Sequence, residues 1–210
     1  MPADERRLDR LRRAMRRRRR TLDPARRRLL AEHTAEHLCA HPLFRRARRI
    51  AAYLATDGEL DPAPVVRRAM AMGKQICLPM LLPWHYNRLW FVPWAAGDPL
   101  VRNRFGIAEP RPARDRRPIA PHALDLVLTP LVAFDRNCRR MGMGGGYYDR
   151  SFAFLGRRRH WNKPRLLGLA YGFQEVETLP VRPWDVPLAG VATEHGVRLC
   201  LPVPTTAEES

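Results

Sequence analysis

The sequence predicts an α/β fold: an open, mostly parallel sheet flanked by helices, with a helical hairpin at the N-terminus. Three observations predict it. An apolar run at Ile50–Leu54, a helical segment opening at Asp61-Pro62-Ala63-Pro64 and closing near Gly73, and a second run at Gln75–Leu78 give strand, helix, strand, the order of a parallel crossover. Leu124–Thr129 is apolar but for Asp125 and Thr129, the pattern of a strand covered on both faces. From about Asp4 to His41 the chain is rich in Arg, Leu, Ala and Glu, which are good helix formers.

Taken in order, Leu8, Leu11 and Met15 recur at spacings of three and four, as on one helix face. The helical region breaks at Thr21-Leu22-Asp23-Pro24, where Asp23 caps a second helix, Pro24 occupies its first position, and Leu29, Leu30, His33 and His37 follow. After the strand at Ile50–Leu54, Thr56-Asp57-Gly58-Glu59 reads as a turn. Leu89–Pro93 reads as a further strand, and residues 95–121, dense in Pro and Arg, as an irregular surface wrap. Tyr147–Leu155 begins a helix, Arg165–Ala170 is a strand and Val191–Thr193 the last one. Residues 1–200 are expected to form one domain and 201–210 a disordered tail.

Composition excludes several classes. With 45% hydrophobic residues the chain is not wholly disordered, and no apolar run approaches the roughly 20 residues that a bilayer-spanning helix needs. The first residues, MPADERRLDRLRR, have no apolar segment behind their charge, so the expectation is a cytoplasmic protein without a membrane partner. Cys39, Cys77, Cys138 and Cys200 are far apart, without zinc-ligand spacing, and are expected to be buried or incidental thiols. His33 and His37 sit at i, i+4 but lack a third ligand and read as helix-face residues. Trp84, Trp90 and Trp94 are expected to pack.

The formal charge is +17 and the pI about 11.2, yet lysine occurs only at Lys74 and Lys163. Codon bias accounts for such an arginine excess, and the run Arg16–Arg20 reads as a solvated helix face. No RNP pattern, finger spacing or basic zipper is present. A nucleic-acid-binding or assembly protein is therefore the alternative reading, and anionic small molecules explain the charge equally well.

The strongest local signal is Arg140-Met141-Gly142-Met143-Gly144-Gly145-Gly146-Tyr147-Tyr148-Asp149-Arg150, preceded by Ala133-Phe134-Asp135. Glycines let backbone amides approach a polyphosphate, Arg140 adds a charge-assisted donor, and Asp149 is a carboxylate of the kind that holds magnesium beside phosphate oxygens. The same glycines also suit a tight turn with the tyrosines in the core. Neither GxxxxGK[ST] nor GxGxxG is matched.

With these residues the chain resembles the 5-formyltetrahydrofolate cyclo-ligase family, whose loop has the form RLGxGxGYYDR after an AFD segment. Leu11-Arg12, Gly58-Glu59-Leu60-Asp61, Phe105-Gly106-Ile107-Ala108-Glu109-Pro110, Leu179-Pro180-Val181 and Trp184-Asp185 fall in the family's order. The resemblance implies ATP-driven cyclisation of 5-formyltetrahydrofolate, carrying one or more glutamates (polyglutamylated), to 5,10-methenyltetrahydrofolate with release of ADP and phosphate, with Mg2+ as cofactor; a monomer is the expected state. It implies Arg12 and Arg140 through Tyr148 around ATP, and Glu59 with Met143, Gly144, Gly145, Gly146 and Tyr147 around the folate. Tyr147 and Arg140 are implied as catalytic, and Asp149 and Asp185 as metal carboxylates. Without the resemblance, Glu59 reads as a turn residue capping the next helix. Two departures stand out: Leu8 occupies the position of a family lysine, and Gly145 a position where many members carry lysine.

Overall fold

The computed structural model of the protein describes residues 3–81, 87–111, 117–157 and 163–200. In chain order its helices are α1 (Ala3–Arg20), α2 (Pro24–Ala40), α3 (Pro42–Arg46), α4 (Ala63–Ala71) and α5 (Tyr147–Phe152). Its strands are β1 (Arg49–Ala51), β2 (Gln75–Leu81), β3 (Leu89–Pro93), β4 (Leu100–Arg102), β5 (Ala108–Pro110), β6 (Leu126–Pro130), β7 (Ala133–Phe134), β8 (Arg140–Met141), β9 (Arg165–Leu169), β10 (Gly190–Thr193) and β11 (Gly196–Leu199). Seven strands form the main sheet in the order β11-β10-β9-β6-β1-β2-β3. The inner pairs are parallel, while β3 and β11 are antiparallel edges, as the predicted fold class requires.

Side-chain alternation along the strands divides the core. Ile50, Ile76, Leu78, Leu126, Leu128, Leu167 and Leu169 face a cluster with α2 and α4. Ala51, Cys77, Val127 and Leu166 point the other way, into a cluster with Phe91, Leu124 and Phe152. Both faces are covered, which is why Leu126, Val127 and Leu128 are apolar without alternation. In α2 the cap is as read: the Asp23 carboxylate accepts from Arg26 N at 2.9 Å, and Pro24 is the first residue. The buried stripe is Leu30, Ala31, Thr34, Ala35 and Leu38, whereas Leu29, His33 and His37 are exposed.

Both helices of the N-terminal region are present. Leu8, Leu11 and Met15 of α1 pack on Val132, Ala133, Met141 and Leu179, whereas α2 lies against the sheet. The two helices therefore serve different surfaces, and α1 reaches over to the β7–β8 hairpin.

Other boundaries also differ. Strand β1 ends at Ala51, because the chain then turns to place the Tyr53 hydroxyl on Leu60 O at 2.5 Å. The wrap at 95–121 contains the β4–β5 hairpin, whose tip is organised by the Asn103 side-chain oxygen accepting from Phe105 N and Ile107 N. Helix α5 lasts six residues and continues as a 3-10 turn over Ala153–Arg157. The last strand is β11, and it carries Cys200 to Cys138, with which it forms a disulfide. That overturns the reading of these two cysteines as thiols. Trp94 packs against the core and Trp90 is half-buried; Trp84 and residues 201–210 lie outside the described residues.

Candidate active site

The strand order reverses between β1 and β6: the chain runs outward from β1 to β2 on one side and from β6 to β9 on the other. The exits of such neighbouring parallel strands splay apart and leave a crevice at their carboxyl ends. A cleft of ≈1280 Å³ opens there, with Tyr53, Thr56 and Glu59 from the β1 exit and Pro130 and Leu131 from the β6 exit in its lining. Its walls are the glycine loop with α5, the β4–β5 hairpin, residues 179–187, and Leu8 and Arg12 of α1. The volume exceeds the roughly 300–1,000 Å³ of a single small-molecule pocket, so two ligands fit.

The loop at 142–146 joins β8 to α5, with Gly144 at φ +98° and Gly146 at φ +62°. Arg140 is fixed at its base: the side chain is only 7% exposed, with Nη2 donating to Asp149 Oδ1 and Nη1 to Val186 O at 2.5 Å. Asp149 Oδ1 also accepts from Val186 N at 3.1 Å, which clamps residues 182–186 to the loop. From the other side Arg12 Nε donates to Gly142 O at 3.1 Å. Leu8, where the family lysine is replaced, lines the cleft with an apolar side chain, and Arg6, Arg7 and Arg10 are exposed. The Tyr147 ring meets Phe105 edge to face at 5.9 Å, and its hydroxyl accepts from Arg104 Nη2 at 3.4 Å. Tyr148 faces Glu59; burial first, then that carboxylate, push its hydroxyl pKa well up.

Glu59 sits on the cleft floor, its side chain 10% exposed. Its Oε2 accepts from Thr56 N at 3.0 Å, and its Oε1 lies 3.9 Å from Arg19 Nη1. Burial raises its pKa despite those partners. Beside it, Asp57 is bound by Arg16 at 2.7 Å, by Arg19 at 3.0 Å and by Arg20. Burial pushes the Asp57 pKa up, but the hydrogen bonds from Arg16 and Arg20 outweigh it and the net shift is downward. Arg19 has no exposed side-chain surface and also donates to Leu131 O at 3.1 Å. The run Arg16–Arg20 is therefore not simply a solvated face: three of its members fasten α1 to the turn that carries Glu59.

Gly58 makes that fastening possible. Its φ is +72°, and a Cβ there would stand 2.9 Å from Arg19 O. Gly58→Ala is expected to cost about 1–3 kcal/mol through the strained backbone and the displaced helix. Urea unfolding checks this; an unchanged midpoint would mean that α1 yields freely.

Sequence reasoning singled out the loop, Glu59, Arg12, Asp149 and Asp185, and all of them face this one cleft. It assigned no role to Arg19, Asp57, Phe105, Arg182 or Trp184. Trp184 is 64% exposed with the Arg182 guanidinium 5.7 Å from its ring, and both line the cleft beside Asp185. For a divalent ion, Asp149 Oδ2 and Asp185 Oδ1 accept no hydrogen bond among the described residues. No group of three His, Cys, Asp or Glu side chains that could hold a metal occurs among those residues. This donor set suits an ion completed by substrate phosphates, as magnesium commonly is.

The profile of the 5-formyltetrahydrofolate cyclo-ligase family matches residues 4–194. The chain is 39% identical over 184 residues to 5-formyltetrahydrofolate cyclo-ligase of Escherichia coli (strain K12), covering 87% of this chain and 98% of that one. It is 37% identical over 166 residues to the Haemophilus influenzae cyclo-ligase, covering 76% of this chain and 85% of that protein. Among solved structures, 5,10-methenyltetrahydrofolate synthetase of Aquifex aeolicus superimposes with a TM-score of 0.76 at 29% identity, covering 96% of each chain.

Proposed function

The chain belongs to the 5-formyltetrahydrofolate cyclo-ligase family, and we propose that the cleft between β1 and β6 is where its reaction takes place. The enzyme is an ATP-dependent ring-forming ligase of folate metabolism that converts 5-formyltetrahydrofolate to 5,10-methenyltetrahydrofolate, releasing ADP and phosphate. The observation that supports the site assignment is convergence: Arg12, Glu59 and the Arg140–Tyr148 segment are remote in sequence yet line one cleft.

In the proposed mechanism the formyl oxygen attacks the γ-phosphorus of ATP and ADP leaves, so the oxygen becomes a phosphate ester on an N5 iminium carbon. N10 attacks that carbon and gives up its proton to solvent. The C–O bond then breaks, phosphate departs with the formyl oxygen, and the N5–C–N10 amidinium remains. No covalent protein nucleophile is needed; positioning and charge neutralisation suffice. Residues Arg140–Tyr148 and Arg12 hold ATP, with the amides of Gly142, Gly144, Gly145 and Gly146 approaching its phosphates. Glu59 accepts N–H bonds from the pterin edge, and Met143 through Tyr147 cover the folate on the loop side. Tyr147 and Arg140 flank the transferring group as catalytic residues. Asp149 and Asp185 would hold Mg2+, which when bound neutralises phosphate charge.

No helix among the described residues is long and apolar enough to cross a membrane. We place the enzyme in the cytoplasm as a single-domain monomer over residues 1–200, acting on folates with one or more glutamates. Arg12, Arg16, Arg18, Arg19 and Arg20 of α1 make contacts within the protein, so that part of the arginine cluster serves the fold.

The direct test is absorbance of 5,10-methenyltetrahydrofolate formed from 5-formyltetrahydrofolate with and without ATP. Product only with ATP supports the reading; no product from folded protein sinks it. For the metal, Asp149→Asn is expected to raise the magnesium needed for half-maximal turnover about tenfold, the effect of losing one charged ligand of about 1.5 kcal/mol. Equal turnover at every magnesium level would remove Asp149 from that role.

A further inference from the structure

A polyphosphate calls for cationic donors, and the loop has none within it, since residues 142–146 are Gly-Met-Gly-Gly-Gly. Three arginines flank it in sequence, and two of them already hold partners within the protein. Arg139 Nη1 donates to Leu179 O at 3.3 Å and lies 3.9 Å from the buried Asp135 carboxylate. Arg140 is ion-paired with Asp149, so much of its charge is already compensated.

Arg150 is different. It folds back from α5 across the loop, with Nη2 donating to Gly145 O and Nε to Asn87 O at 2.9 Å. Its guanidinium carbon is 5.4 Å from the Tyr147 ring centroid. Among the described residues no carboxylate lies within ion-pair distance of it, and Nη1 donates no hydrogen bond. The loop is shaped to admit it: a Cβ on Gly146 would stand 2.6 Å from Nη1. A side chain there would push the guanidinium aside, and the φ of +62° favours glycine in its own right. Arg150 lines the cleft together with Gly144, Gly145 and Gly146, so its spare donors are available to a ligand at the loop.

We propose that Arg150 is a further phosphate-binding cation of the glycine loop, beside Arg12 and Arg140, its guanidinium preset by Gly145 O, Asn87 O and Tyr147 so that Nη1 meets the polyphosphate of ATP. This rests on the reading of the loop as the nucleotide site. A preset planar fork loses little freedom when it takes up a phosphate oxygen, which suits an arginine at a loop of glycines.

The experiment is calorimetric titration of ATP into the wild-type chain, Arg150→Ala, Arg150→Lys, and Arg150→Ala combined with Gly145→Lys. The wild-type titration is the control for the underlying reading: no ATP binding there means that the loop is not the nucleotide site. With binding established, Arg150→Ala is expected to weaken ATP at least about tenfold, as for loss of one charge-assisted bond, and to flatten the fall of affinity with added salt. Arg150→Lys should retain part of the affinity. Gly145→Lys should restore part of it from inside the loop, with the Tyr147 ring giving way, since a Cβ at 145 would lie 3.0 Å from Tyr147 Cδ2. ATP affinity of Arg150→Ala within about twofold of wild type overturns the proposal. So does a loss that neither lysine variant relieves and that leaves the salt dependence unchanged, because Arg150 then only braces the loop.

Discussion

Arg19→Ala is expected to lower the unfolding free energy by about 3 kcal/mol, near the lower end of what removing one partner from a buried ion pair costs. In a chain of this size that corresponds to a melting temperature lower by roughly 10 °C. The reason is the company Arg19 keeps: with no exposed side-chain surface, it touches Asp57, Glu59 and Leu131 O together. Truncation removes a cation from beside two largely buried carboxylates and one of two donors to Leu131 O, the other being Gln174 Nε2 at 3.1 Å. Asp57 retains Arg16 and Arg20, which limits the loss, whereas Glu59 retains no ion-pair partner among the described residues.

The pH dependence of the Arg19→Ala deficit follows from the two carboxylates. The folded pKa of Asp57 lies below 3.8, so its contribution is present above that pH and fades as pH falls through the folded value. Arg19 is among the charges that hold down the Glu59 pKa, so its removal costs most where Glu59 is ionised and less once both carboxyls are protonated. The gap between wild type and variant should narrow below about pH 4. A melting temperature within a degree or two of wild type at neutral pH would mean that water replaces the guanidinium.

Arg19 also shows where sequence reading stopped. The strands were legible because alternation sorts Ile50 from Ala51 and Leu126 from Val127 onto opposite faces. The loop was legible because clustered glycines have few uses. Arg19 lay inside five consecutive arginines, where composition says solvent. The periodicity said otherwise: Leu8, Leu11, Met15 and Arg19 continue one inward stripe at spacings of three and four. The β4–β5 hairpin has strands of three residues, too short for a period, and its signal was the Asn103-to-Gly106 turn. The pairing of Cys138 with Cys200 depends on β11 lying at the sheet edge, which no local pattern announces.

Glu59→Gln is expected to reduce kcat/KM for 5-formyltetrahydrofolate about a hundredfold, through two charge-assisted pterin bonds each weakened by about 1.5 kcal/mol. The amide oxygen can still accept from Thr56 N, as Glu59 Oε2 does at 3.0 Å, so the turn persists. Stability should move the other way. The groups around Glu59 are Arg19, Asp57, Tyr53 and Tyr148, and burial dominates them, holding its folded pKa above 4.5. A carboxyl with a raised folded pKa contributes stability below its unfolded value and loses that contribution as pH rises through the folded one. At neutral pH the ionised Glu59 therefore opposes folding, and the glutamine variant should melt no lower than wild type. The activity profile should change in parallel: wild-type kcat/KM should fall on the acid side as Glu59 takes up a proton, and the variant should lack that limb. Unchanged kcat/KM with a lowered melting temperature would make Glu59 a brace for the Thr56–Glu59 turn. Lost activity with an undiminished melting temperature would make it a carboxylate held ionised in a buried site for its substrate, at the expense of the fold.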